Sequence, residues 1–150
     1  IFTAYKPMLV SMPIREGLMA YLLGGLEWSR TQMGLVRFFL RAVYQGDPIL
    51  QKRVVDPISE VMLEIVREML KQALARGEVR EDIDLEATTR VVHALMIAVG
   101  DSQLLPYLNS YLRVTDDEIG PERTMEALLD LVSTGIGAKA SARSTSEGTT

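Results

Sequence analysis

The chain has 150 residues, 47% of them hydrophobic and 6% aromatic, with eight Met, no Cys and a formal net charge of −4 at neutral pH. A chain of this length folds as one domain, or one domain and a tail, and buries roughly 70% of its unfolded surface, enough for a real core. The lack of Cys excludes disulfides, zinc–thiolate sites and thiol nucleophiles and fits a cytoplasmic protein, while the acidic balance argues against nucleic-acid binding by this piece alone, since phosphate contact needs a basic face.

The first ten residues, Ile1 to Val10, are apolar, and Pro7 there predicts either a kink or a first helical turn. Pro13 suits the first turn of a helix with Ser11 or Met12 near its cap. Ile14, Leu18, Tyr21, Leu22, Gly25, Leu26 and Ser29 then recur at helical spacing. Gly24-Gly25 predicts a kink or the close approach of another backbone. A further helix spans Gln32 to Gln45, with Leu35, Phe38, Phe39, Ala42 and Val43 apolar and Arg37 and Arg41 four apart.

Gly46-Asp47-Pro48 is a stop followed by a new cap and proline, and Asp56-Pro57 repeats that cap-then-proline form. Either a short helix precedes a long one, or one long helix is kinked at Pro57. From Pro57 the stripe is Ile58, Val61, Met62, Ile65, Met69, Ala73 and Leu74, with Glu60, Glu64, Arg67, Glu68 and Lys71 on the wet face. Arg76-Gly77 reads as a helix stop, a cation in the last turn and then a Gly free to turn left-handed. Val79 and Ile83 are apolar pins, and Asp84 caps the next helix with Glu86 in its first turn.

From Leu85 the chain is apolar on almost every side to about Leu105, interrupted chiefly by Arg90 and His93. Such a helix is covered on more than one side. In so short a chain, one side faces its own core and another a second copy. Its longest apolar run, Val91 to Gly100, is far short of the ~20 residues that span a bilayer, so no membrane role is expected. Pro106 ends it, and residues 106–120 form an ordered connection with an acidic run, Asp116-Asp117-Glu118. Pro121 opens a last helix whose stripe is Met125, Leu128, Leu129, Val132 and Ile136, broadened by Leu131. Residues 138–150 carry no apolar pattern and are expected to form a disordered tail after a domain of residues 1–137. No strand is needed anywhere.

Catalysis has little to stand on. His93 is the only His, so no two-His metal site forms within one chain. It reads as a core or interface histidine with one hydrogen-bond partner, or as a ligand contact. Asp101-Ser102 offers no nucleophile elbow. Asp82, Asp84 and Glu86 alternate like part of a calcium loop, but its Gly and closing Glu are missing and capping explains them better. Arg37 and Arg41 read first as a solvent-facing edge and second as an anion contact. No catalytic residue, metal or cofactor is assigned.

The stretch Ala75–Asp84, A-R-G-E-V-R-E-D-I-D, ending one long helix and followed at once by an apolar one, resembles the C-terminal regulatory domain of tetracycline-repressor-type (TetR family) transcription regulators. The likeness covers roughly Pro48 to Gly137, and more loosely Ile1 to Gln45; the family's N-terminal helix-turn-helix is absent. Ile1-Phe2 resembles the end of the family's junction after the recognition helix, which puts a DNA-binding domain just before residue 1; a frayed N-terminal segment is the alternative.

The resemblance implies an all-α bundle of about five to six helices that dimerises through its last two. It implies a homodimer, a small apolar or amphipathic effector, and DNA contact only through the upstream domain. The helices over 14–45, 57–76 and 85–105 would enclose the ligand, with Trp28, Phe38, Met62, Ile65, Met69, His93 and Met96 as lining; Met and aromatic side chains suit such sites because they repack around different shapes. Val91, Leu95, Ala98, Leu128, Leu131 and Val132 would meet the second copy. The alternatives are that the soft residues simply fill the core, that the 106–120 connection covers the apolar helix within one chain, and that the whole is a free-standing dimerisation module without ligand or DNA.

Overall fold

The computed structural model describes the backbone of residues 2–139. It is all helical, with α1 Phe2–Ser11, α2 Ile14–Thr31, α3 Met33–Gln45, a single turn α4 Pro48–Leu50, α5 Asp56–Ala75, α6 Leu85–Leu104, α7 Pro106–Leu112 and α8 Pro121–Ile136. Among the described residues the only β pairing is an isolated bridge between Val79 and Gly137. Ile1, and the expected tail beyond Lys139, lie outside the described residues.

The helix limits follow local chemistry. Asp47 caps α4, its carboxylate accepting from the Ile49 and Leu50 amides at 2.8 and 3.1 Å. Asp84 caps α6 in the same way, accepting from Ala87 at 3.0 Å. Between α4 and α5 the chain does not break. Gln51–Val55 is a π-helical stretch, and the Asp56 amide bonds back to the Gln51 carbonyl. Widening the register by one residue just before Pro57 accommodates the missing N–H within a continuous helical run. Pro7 lies inside α1.

The main core joins α1, α2, α5, α6 and α8. Leu18, Ile65, Val66, Met69, Leu70 and Leu129 are its most deeply buried large side chains. The α2 and α8 faces are those the periodicity predicts. Buried residues on α8 are Met125, Leu128, Leu129, Val132 and Ile136. On α3 the face is displaced by a residue: Val36, Leu40 and Ala42 are buried, whereas Leu35 and Phe38 are 60% and 50% exposed. The reason is location. α3 builds a separate small cluster with Leu105 and Leu108, so only a narrow stripe of an otherwise apolar helix is covered.

Two helix corners are locked together by one turn. Gly77 adopts φ +75°, and the Gly77 and Glu78 amides return to the Leu74 and Ala73 carbonyls, closing α5. The next residues then reach the α1–α2 corner. Arg76 donates to the Val10 carbonyl at 3.0 Å and the Met12 carbonyl at 2.8 Å, satisfying groups that α1 leaves open. Glu78 pairs with Arg76 and accepts from the Ile14 amide at 2.7 Å, so a carboxylate from the far corner caps α2. The local cap expected from Ser11 or Met12 is therefore replaced; the Ser11 hydroxyl donates to Met8 instead. The same turn is tied to the end of α8, with Arg80 donating to Ile136 and Ala138 to Glu78.

Glycine makes the close approach at this corner, but at Gly17. A Cβ there would stand 2.9 Å from the Leu9 carbonyl oxygen. Gly24 and Gly25 lie within the continuous helix α2, and a Cβ on either would face open space rather than another backbone.

Candidate functional site

The space beside Gly24 and Gly25 is a cleft of about 400 Å³ between α1 and α2. Tyr5, Met8 and Leu9 form one wall; Tyr21, Glu27 and Trp28 stand on the other. A second, narrower cleft of about 90 Å³ lies where α2 meets α5 and α6, lined by Tyr21, Gly25, Ser29, Met62, Met96 and Asp101 among others. Tyr21 and Gly25 belong to both. The two spaces thus flank one stretch of α2, and its paired glycines leave room that side chains would fill.

The polar groups here are few. Among the described residues, Glu27 is the charged residue of the larger lining and Asp101 that of the smaller. Among the described residues no hydrogen bond or ion pair holds the half-buried Asp101 carboxylate, and burial pushes it up to about 6. Burial likewise raises the Tyr21 phenol, and it raises Tyr44, to which the charge of Asp101 adds. The neighbouring Ser102 hydroxyl is turned back onto the Ala98 carbonyl at 2.6 Å.

Of the predicted lining residues, Trp28 stands in the larger cleft and Met62 and Met96 in the smaller. Ile65 and Met69 are packed into the main core. Phe38 is half exposed on α3 and lines neither cleft. His93 also lies outside both; its Nδ1 is buried without the expected hydrogen-bond partner, and burial lowers its pKa. Tyr5, Met8 and Asp101 are among the lining residues that the helical stripes do not single out, whereas Tyr21 belongs to the α2 stripe. The usable signal for Asp101 is an acid in an apolar helix with no cation three or four residues away on the same helix.

The calcium-like run is absorbed by structure: Asp82 pairs with Arg80, Asp84 is a cap and Glu86 pairs with Arg67 at 2.8 Å. Among the described residues no group of three or more His, Asp or Glu side chains is placed to hold a metal ion. No helix among them is long and apolar enough to cross a membrane.

A second feature is a bare apolar face. On α6, Ala87, Val91, Ala94 and Leu95 are exposed and Ala98 half-buried, all on one side of the helix. Val91 is 59% exposed, and on α8 Leu131 is 69% exposed. Leu128 and Val132, expected on the same surface, point into the core of their own chain. The connection does not cover α6 here: α7 packs with Leu108 against the α3 cluster, leaving Val91 and Leu95 open.

Comparison with protein-family models, with curated proteins and with solved structures finds no match.

Proposed function

We propose that the chain is the effector-binding and dimerisation domain of a tetracycline-repressor-type transcription regulator, DNA being contacted by a separate helix-turn-helix domain that the resemblance puts ahead of α1. The observation that carries this reading is the uncharged apolar stripe of Ala87, Val91, Ala94, Leu95 and Ala98 together with exposed Leu131. A charge-free helical face of this kind is suited to self-complementary packing about a two-fold axis. The cleft supports the effector half. One of its walls is α1, the helix that would lead to the DNA-binding domain, and α1 is pinned at its far end by Arg76. A ligand that fits one α1–α2 spacing better than another biases that helix against the rest of the bundle. It shifts the dimer between DNA-competent and DNA-incompetent forms by no more than its difference in affinity for the two.

The test is native mass spectrometry of the protein as purified from cells, alongside a Leu131→Asp variant. The wild-type chain is expected as a dimer, carrying a small-molecule adduct where the cleft is filled. The variant is expected as a folded monomer, because the substituted side chain is already in water within one chain. A wild-type monomer at micromolar concentration sinks the interface and the regulator reading with it.

A further inference from the structure

A further cleft, of about 470 Å³, lies where α3 faces the junction of α6 and α7. We infer that it binds an organic anion, a carboxylate-type head on an aromatic or alkyl body, with Arg37 and Arg41 holding the head. Both arginines line the cleft, together with Leu40, Tyr44, Leu105 and Tyr107 among others. Spaces of this size hold small organic ligands. No residue of this lining belongs to the α1–α2 cleft, so the site stands apart from the effector space assigned above.

Arg37 and Arg41 are four apart on α3, which sets their side chains on one face of the helix. Among the described residues neither makes an ion pair. Like charges at this spacing repel, and no acid lines the cleft to offset them. Asp101 stays outside the lining, although its charge reaches Tyr44. An arriving anion relieves that repulsion, and the guanidinium fork matches the two oxygens of a carboxylate. The rest of the lining suits a body larger than a bare ion. Leu40 and Leu105 are buried members of the small α3 cluster, and Tyr44 and Tyr107 are each more than half exposed. Inorganic phosphate would leave that apolar and aromatic surface wet, and a neutral ligand would leave both guanidiniums unmatched. Two cations are too few to hold a nucleic-acid duplex on a chain whose net charge is −4.

Calorimetric titration of the intact chain with 2-naphthoate and 2-naphthamide is the test, because the two share a ring body and differ in charge. The carboxylate is expected to bind at least about tenfold more tightly than the amide. Arg37 and Arg41 are exposed, and glutamine is a good helix former, so Arg37→Gln and Arg41→Gln keep the fold. Each is expected to weaken naphthoate about tenfold and to leave naphthamide unchanged. Gly24→Leu, which fills the α1–α2 cleft, is expected to leave naphthoate binding intact. Equal affinities for the two probes, no binding of naphthoate, or an affinity that neither arginine variant lowers overturns the inference. Loss of naphthoate binding in Gly24→Leu, with both arginine variants unaffected, moves the ligand to the α1–α2 cleft. That result overturns the anion site and leaves the effector reading in place.

Discussion

Glu78 and Asp101 are two acids held away from free water at helix junctions, and they stand in opposite situations. Glu78 is met on both oxygens: Arg76 takes one and the Ile14 amide the other. Burial alone would raise its pKa, but those two donors outweigh it and hold the carboxyl below its usual range. Asp101 has burial and no donor among the described residues, and is pushed up instead. The first acid is part of the fold, joining the α1–α2 and α5–α6 corners. The second has no such donor among the described residues, so burial acts on it unopposed.

Removing Arg76 should break this contrast most severely. Arg76→Ala strips two charge-assisted hydrogen bonds from the end of α1 and leaves Glu78 half-satisfied, so it is expected to cost about 3 kcal/mol in denaturant unfolding. A loss under about 1 kcal/mol would show that the corner is held by apolar packing alone.

Acid titration separates the two carboxylates by sign. Asp101 binds its proton more tightly folded than unfolded, so its contribution is greatest below its ordinary value of 3.8 and is lost as pH rises through about 6. Glu78 behaves oppositely: its contribution is present above the ordinary carboxylate range and is lost as pH falls below it. Asp101→Asn should therefore raise stability at pH 7 by about 1–2 kcal/mol and flatten the decline between about pH 4 and 6. Urea midpoints across that range check it; an unchanged profile would mean that Asp101 is solvated.

The smallest effect is expected at Gly77. A Cβ there meets nothing within 4 Å, so Gly77→Ala should cost only the left-handed backbone strain, about 1 kcal/mol. A larger loss would place the neighbouring Arg76 contacts at fault as well.

Much of the helical framework is legible along the chain because its signals are local. Asp47, Asp84 and Gly77 act within a few residues of themselves, and the spacing on α8 names the five residues it buries. Legibility fails where a helix has more apolar surface than neighbours to cover it. On α3 that misplaces Phe38, and on α8 it does not separate buried Leu128 and Val132 from exposed Leu131. The candidate site is legible in part: Trp28, Met62 and Met96 are placed in the clefts by soft side chains on inward helices, while Ile65 and Met69 with the same character are core. Nothing local distinguishes a methionine beside a cleft from one beside another methionine.

Local chemistry along the chain is enough to give an all-α fold and the limits of α3, α5, α6 and α8, because caps, prolines and periodicity act over one or two turns; it does not give helix α7 or the cap of α2. Packing between distant segments is what lets Glu78 cap α2 across 64 residues, leaves two glycines facing open space, and half-buries Asp101 beside the cleft of α2, α5 and α6. Those outcomes depend on which helices become neighbours, and the packing of the whole core sets that choice.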